Sequence, residues 1–205
     1  LSTRRQRQMC IRDSFNTVVD DSQRMTNIQD PVSGVAQVVK NAGDIEYRGF
    51  EIDGVYTMTD TVTMVASLGY VHSKYKNLIS DLTGDFIIDA LDYALEVPRA
   101  APLTYSLGFN IDGNLGTWRS ITRISYYHRD KSYYNENNQG FINEQDILNF
   151  GYDIYSSDGK INIGVYGKNL SNEVKHGGDT NLSFGGTFAP LAKGKIVGAE
   201  LVYKF

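Results

Sequence analysis

The chain has 205 residues, a formal net charge of −4 and an apolar fraction of 41%, a composition too hydrophobic for a disordered chain. No stretch approaches ~18 uninterrupted apolar residues, which excludes a transmembrane helix; it does not exclude a strand-built membrane wall, whose alternating residues average to a soluble-looking hydropathy. The 14 Tyr, 9 Phe and 20 Gly, against 4 Pro and one Trp, point to an aromatic-rich, turn-rich β protein.

Residues 1–14 stand apart. They carry Arg4, Arg5, Arg7 and Arg12, the single cysteine Cys10, and no apolar periodicity. The run RQRQMCIRDS resembles a translated sequencing adapter, so residues 1–14 are expected to be a non-native or disordered leader, unattached to any sheet. The alternative, a basic arm for nucleic acid or lipid, is the weaker reading, and no nucleic-acid partner is expected. Leaving these residues out moves the net charge to about −7 and removes the only thiol, which suits an envelope barrel but many other compartments too.

Beyond residue 14, two-residue alternation dominates. A strand sends successive side chains to opposite faces, and residues 15–20 read as a first, shortened strand. Residues 34–57 follow, too long for one simple span, with a kink expected near Asn41-Ala42-Gly43. Residues 61–74 place Val62, Met64, Ala66, Leu68 and Tyr70 together. From Leu103 onward, Leu103, Tyr105, Leu107, Phe109 and Ile111 alternate with Thr104, Ser106, Gly108 and Asn110. Residues 118–127 are more polar, with Trp118 and Tyr126 bracketing the apolar side. Leu148, Phe150, Tyr152 and Ile154 form the next stripe, and Ile161, Ile163 and Val165 a weaker one. Val197, Ala199, Leu201, Tyr203 and Phe205 make the eighth.

Connections alternate in length. Residues 58–60, 113–116 and 156–160 are short, the last containing the hairpin signal Asp158-Gly159. Residues 21–33, 75–102, 129–144 and 171–194 are long and polar, and residues 87–96 are expected to hold a short helix. Strict parity of this kind is what an outer-membrane barrel shows, with tight periplasmic turns and long extracellular loops. In a soluble domain the long loops would be unusual. The fold class is therefore all-β: about eight strands of an antiparallel transmembrane barrel, an open curved sheet if the segment stands alone.

Several local patterns then carry a resemblance. The terminal Leu201, Tyr203 and Phe205 resemble the assembly signal of bacterial outer-membrane proteins. Asn41-Ala42-Gly43 with Arg48-Gly49-Phe50-Glu51-Ile52, the stretch from Val97 to Tyr105, and the run Tyr166-Gly167-Lys168-Asn169-Leu170-Ser171-Asn172-Glu173 resemble segments of TonB-dependent outer-membrane receptors, in order, along residues 15–205. The resemblance implies the C-terminal third of a 22-stranded barrel that imports a scarce nutrient: a siderophore, a cobalamin-like compound or an oligosaccharide. It also implies a location in the outer membrane of a Gram-negative bacterium. The implied partners are outer-membrane lipid and lipopolysaccharide, the barrel-assembly machinery through the last strand, and TonB, ExbB and ExbD through a plug and TonB box outside these residues. It carries over no substrate-binding residue.

Chemistry is otherwise sparse. His72, His128 and His176 have no metal-ligand spacing, and read as solvated loop or strand-end histidines. Asp81, Asp85, Asp89, Asp92 and Glu96 do not follow a calcium-loop pattern. Asn169-Leu170-Ser171 fits a glycosylation acceptor by chance. No nucleophile elbow or phosphate loop is present, and paired carboxylates are too common here to argue for a glycosidase. No enzyme activity, metal or cofactor is expected. Glu51, Asp53, Arg119 and Arg123 are placed on the wet side, as an ordinary polar wall or as contacts to a plug. The rival reading is a self-contained eight-stranded barrel with an anchoring role; its narrow interior must be filled by side chains, and Thr104, Ser106, Gly108 and Asn110 fill it poorly. A soluble lipocalin-like binder conflicts with the loop parity and the terminal Phe.

Overall fold

A computed structural model of the chain describes residues 9–30, 32, 34–177, 180–182 and 186–205. Strands β1 (Met9–Asp30), β2 (Gly34–Thr57), β3 (Val62–Leu78), β4 (Leu103–Leu115) and β5 (Trp118–Arg129) come first. Short β6 (Ser132–Tyr133) and β7 (Phe141–Ile142) precede β8 (Gln145–Tyr155) and β9 (Ile161–Lys168). Short β10 (Thr180–Leu182) and β11 (Gly186–Phe188) precede β12 (Ile196–Tyr203), and a single-turn helix α1 (Ala90–Tyr93) lies between β3 and β4. The main sheet has eight strands in the order β1-β2-β3-β4-β5-β8-β9-β12, every neighbour antiparallel. Among the described residues β1 and β12 do not pair with each other, so the sheet is open.

Register decides which side chains share a face, because directly opposed residues project together. Met64 opposes Phe109, Phe109 opposes Ile124, and Ile124 opposes Phe150. The neighbouring row runs Ala66, Leu107, Tyr126, Leu148, and a third runs Ile154, Ile163, Leu201. Every apolar stripe read from the sequence therefore falls on one continuous face, Trp118 and Tyr126 included. The opposite face carries Ser67, Ser106, Tyr127 and Ile147 in one row, and Thr63, Asn110, Arg123 and Gly151 in another.

Among the described residues nothing covers the apolar face. Leu107, Leu148 and Phe150 remain 38–39% exposed although they sit mid-strand. Seven apolar side chains are buried among the described residues, and four of them, Ile45, Tyr75, Leu78 and Val97, form one cluster with Tyr47, Leu82 and Leu95 against it. That cluster lies where residues 79–102 fold over the polar face of β2 and β3, since Ile45 and Tyr47 share parity with Glu51. Each full burial there contributes about 1.5–3 kcal/mol, which anchors a loop but supplies no core for eight strands.

Short and long connections segregate to opposite ends. Residues 58–61, 116–117 and 156–160 turn at one end. At Asp158-Gly159 the Asp158 carboxylate accepts from the Ser156 hydroxyl (2.5 Å) and the Lys160 N–H (3.1 Å), while Gly159 takes φ +69°. The kink expected at Asn41-Ala42-Gly43 is a register shift. Gly43 has φ +129°, and a Cβ there would lie 2.2 Å from the Asn77 carbonyl oxygen.

Three expectations need correction. The long loop at residues 21–33 is mostly strand: β1 pairs with β2 as far as Asp30–Gly34, past an irregularity at Val19–Gln23, because the extended β2 offers a ladder that the polar sequence of β1 can satisfy through backbone alone. The loops at 129–144 and 171–194 contain the small ribbons β6–β7 and β10–β11. Finally, Met9–Ser14 do not stand clear of the sheet; they pair with Phe50–Val55. Their phase is inverted relative to the wall, however: Arg12 and Ser14 join the apolar face opposite Ile52 and Phe50, while Met9 and Ile11 take the polar one. Backbone hydrogen bonding attaches this segment, and its side chains do not fit the pattern around it. Residues 1–8 lie outside the described part.

Candidate functional site

The site has two parts, a polar wall and a rim of long connections. On the wall, Ser67 and Ser106 share a hydroxyl–hydroxyl bond of 2.7 Å, and the Asn149 amide donates to Ser125 at 3.2 Å. Arg119 pairs with Asp112 at 2.5 Å, and Arg123 pairs with Asp153. The side chains of Arg119 and Asp112 are 62% and 48% exposed, so that pair is worth only about 0–1 kcal/mol. Glu51 and Asp53 oppose Gly69 and Ser67 on the same face. Glu51, Asp53, Arg119 and Arg123 thus share the polar face of the sheet, and the two arginines are each matched by an acid on a neighbouring strand.

Glycine gives this wall its relief. A Cβ at Gly164 would meet the Asp153 carboxylate at 2.6 Å, and one at Gly198 would meet the Tyr166 ring at 2.5 Å. The result is a recess of about 380 Å³ lined by Arg123, Asn149, Asp153, Tyr166, Lys168 and Glu200 among others. It offers both charge signs and an aromatic edge. No nucleophile with an adjacent base lines it, and among the described residues no cluster of His, Cys, Asp and Glu could hold a metal.

At the rim, the acidic run of residues 81–96 is used structurally. The Asp81 carboxylate accepts from the N–H groups of Gly84 (2.8 Å) and Phe86 (2.6 Å) and from the Thr83 hydroxyl (3.0 Å). The buried Asp92 accepts from the N–H groups of Leu82, Thr83 and Asp89, and with Asp89 it forms the capping box of α1. The Gly84 N–H holds the Asp81 carboxyl below the ordinary carboxylate range, against the opposing pull of burial. For Asp92 burial pushes upward, and the three N–H donors more than reverse it. The loop thus displays Phe86, 96% exposed and at φ +70°, with Ile87 and Leu91 beside it.

Separate connections are tied together. Asn138, at φ +56°, accepts from the Glu96 N–H (2.8 Å) and donates to the Glu96 carbonyl (2.9 Å). The Arg99 N–H donates to the Tyr133 carbonyl at 2.7 Å, and its guanidinium lies 4.6 Å from the Tyr134 ring centre. The Asn143 N–H reaches the His176 carbonyl, and the Phe141 and His176 rings stack. On the far side, Asn169 is 8% exposed and clamps three segments: its amide donates to the carbonyls of Glu173 (3.0 Å) and Lys193 (2.9 Å), and its oxygen accepts from the Glu173 N–H (2.9 Å). The run at residues 166–173 supplies both the Asn169 side chain and the Glu173 backbone of this clamp.

The histidines scatter, as their spacing suggested. His72 opposes Arg48 on β3, and His176 sits in the last long connection. His128 differs from the solvated residue expected: its ring stacks on Tyr105 (4.7 Å) and contacts Asp146 (2.8 Å) and Asp130 (3.0 Å). Strand pairing of Tyr105 with His128 and His128 with Asp146 creates that arrangement, which no linear motif could reveal. At the chain's end, Leu201 and Tyr203 oppose Ile163 and Ile161 on the apolar face, and the Tyr203 and Phe205 rings meet edge to face at 5.2 Å.

No protein-family model matches the chain, and no curated protein does. Solved structures do. The ferric yersiniabactin uptake receptor FyuA from Yersinia pestis superposes with a TM-score of 0.77 at 17% identity, over 97% of this chain and 28% of that one. The siderophore receptor PiuA from Acinetobacter baumannii gives 0.70 at 16%, over 97% and 26%. The copper transporter OprC gives 0.64 at 14%, over 97% and 30%. The eight-stranded antiparallel sheet therefore has the fold of part of these proteins, and the chain spans less than a third of each one's length.

Proposed function

We propose that this chain is a barrel segment of a TonB-dependent receptor in the outer membrane of a Gram-negative bacterium, serving active import of a scarce nutrient and no covalent chemistry. The observation that carries the reading is the uncovered apolar face. Strands β2 to β5, β8, β9 and β12 present one continuous apolar surface with no second layer against it among the described residues, and a water-soluble protein does not leave such a patch open. The polar face with its Gly-floored recess then lines the interior, where a plug and solute would pass. The long connections face the exterior, and Leu201, Tyr203 and Phe205 form the strand offered to the assembly machinery at the inner rim.

The superposed structures support this reading through shared architecture. One is described as a ferric yersiniabactin uptake receptor, one as a siderophore receptor and one as a copper transporter; a siderophore, a cobalamin-like compound or an oligosaccharide are the solute classes proposed here. The smaller self-contained barrel is disfavoured because β1 and β12 end the sheet at opposite edges. On this reading residues 1–14 are a foreign leader, a reading that rests on their basic, non-periodic composition.

The test is site-directed thiol labelling of the protein in outer membranes, in a background with Cys10 replaced. Cysteines at Leu107, Phe109, Leu148 and Phe150 should resist a water-soluble maleimide and react with a lipid-dissolved one. Cysteines at Ser106 and Ser125 should do the reverse. Equal aqueous labelling of both sets overturns the membrane reading, and solute uptake that persists without TonB overturns the import reading.

A further inference from the structure

Both ring nitrogens of His128 face a carboxylate. Nδ1 lies 2.8 Å from Asp146 Oδ1, and Nε2 lies 3.0 Å from Asp130 Oδ1. A neutral imidazole has one N–H and one lone pair, so it donates to one acid and sets its lone pair against the other. The imidazolium donates to both. Neither acid relieves the conflict with a proton of its own: Asp146 Oδ1 already accepts the Tyr126 hydroxyl at 2.5 Å, and the Asp130 side chain is 37% exposed and solvated as an anion. The second proton therefore belongs on His128, whose ring is mostly covered and lies on Tyr105 at 4.7 Å.

These groups come from three segments. His128 is near the end of β5, Asp146 near the start of β8, and Asp130 is the first residue of the connection between them. The site lies one row beyond Tyr126, past the aromatic end of the apolar belt and at the foot of the rim. Residues 130–144 spring from it, and they carry the ties to Glu96, Arg99 and His176. The neighbouring charges have other partners. Arg129 donates to the Ser132 hydroxyl at 3.1 Å, and Lys131 lies over the Tyr133 and Phe141 rings. Lys175 of the last connection, which also feels the Asp146 charge, pairs with Glu173 at 2.7 Å and Glu144 at 3.8 Å. Lysines, arginines and tyrosines ordinarily lose protons at about pH 10 or above, and carboxyls at about pH 4. His128 is therefore the group in this set that titrates between about pH 6 and 8.5. His176, its ring stacked on Phe141 at 6.1 Å, is the other histidine joined to this connection.

We infer that His128, bridging Asp130 and Asp146, is a proton-operated clasp at the root of the β5–β8 connection, closed in acid and neutral medium and released as the medium turns alkaline. The closed form holds a proton between two carboxylates, whereas the opened connection leaves His128 as a solvated imidazole that holds it less firmly. Raising the pH therefore favours opening. Order in residues 130–144 is fully present below about pH 6.5, the ordinary histidine value, and is lost as the pH rises through the value His128 takes in the clasp. The clasp acts whatever solute the rim meets. On the outer-membrane reading above, the pH it senses is that of the cell's surroundings.

The experiment uses the full-length protein carrying this chain, in detergent, with heat-dependent electrophoretic mobility reporting folding. Hydrogen exchange of residues 130–145 is followed over a series from about pH 6 to about pH 8.5 and expressed as protection, which removes the intrinsic acceleration by base. Wild type should lose about tenfold in protection across the series, the worth of a charge-assisted hydrogen bond, while residues 161–168 keep theirs. H128Q should show the low protection at every pH, and H176Q should keep the wild-type step. D130N should move the midpoint to lower pH, because a single carboxylate then holds the proton. No step in wild type, a step retained in H128Q, or a step lost in H176Q overturns the clasp. Protection lost equally from residues 161–168 overturns it too, since the change is then global. If H128Q does not fold, D130N decides, and an unmoved midpoint overturns the clasp. The outer-membrane reading fails on a different result, the absence of wild-type protein from the outer-membrane fraction.

Discussion

Ile124 is the position at which the two faces of the sheet make the sharpest opposing forecasts. It sits midway along β5 between Phe109 on β4 and Phe150 on β8, 37% exposed, with nothing above it among the described residues. If that face meets water, Ile124→Arg is a surface substitution costing about 0.5 kcal/mol or less. If it meets hydrocarbon, a cation near the midplane costs about 2–4 kcal/mol, some 30- to 1,000-fold in the folding equilibrium. The adjacent Ser125 points to the polar face and loses one hydrogen bond from Asn149 when replaced. Ser125→Arg should therefore cost about 1 kcal/mol, with Gly108 beside it leaving room. The assay is urea-dependent folding of the protein into vesicles of defined lipid, read by the mobility shift of the folded barrel and compared as midpoints at constant slope. Equal losses for Ile124→Arg and Ser125→Arg, or a smaller loss for Ile124→Arg, would refute the assignment of faces.

Asn169→Ala breaks the clamp between Glu173 and Lys193 and leaves buried backbone groups without a partner, at about 1–3 kcal/mol; limited proteolysis should cut residues 173–195 faster, while the remaining wall stays protected. The lowered carboxyl pKa values of Asp81 and Asp92 mean that their contribution to loop order is fully present above the ordinary value near 3.8 and is lost as pH falls through the lower folded values. Hydrogen exchange of residues 82–95 should accelerate below about pH 4, and Asp92→Asn should show that acceleration already at neutral pH. Gly43→Ala forces a Cβ against the Asn77 carbonyl at a positive φ, a cost of several kcal/mol, and should sharply reduce the yield of folded protein in outer-membrane fractions. Expressed alone in detergent-free buffer, the chain should associate through its two open edges and apolar face; a sharp, concentration-independent monomer peak in size-exclusion chromatography would count against this.

What the amino-acid order reveals here is face, and what it conceals is depth. Leu107, Phe109, Leu148 and Phe150 were readable because a strand repeats every two residues, so each stripe carries its own evidence of sidedness. The turn at Asp158-Gly159 and the kink at Gly43 were readable because backbone φ limits residue choice. The extension of β1 to Asp30 was not, since its ladder depends on the partner β2 and its side chains show no alternation. For the same reason Met9–Ser14 joined the sheet despite a wrong phase: backbone pairing tolerates almost any side chain at an open edge. The rim was legible only as long polar stretches. Its braces join residues 42 apart, as at Glu96–Asn138, or 24 apart, as at Asn169–Lys193, and polar side chains contacting distant backbone leave no periodic trace. Arg48, Lys74 and Lys76 converge on Glu46 only once β2 and β3 are registered, a convergence no linear spacing shows.

The cross-bracing of the connections has a consequence for how the wall could operate. Residues 79–102 are pinned by Asp81, Asp92 and a small apolar cluster, then tied to the next connection through Asn138 and Arg99, which passes the constraint on through Asn143 to His176. A frame joined at successive corners deforms as one body. Exposed groups such as Phe86 and Leu91 are then held on a fixed outline, so that whatever meets this rim meets a preformed surface.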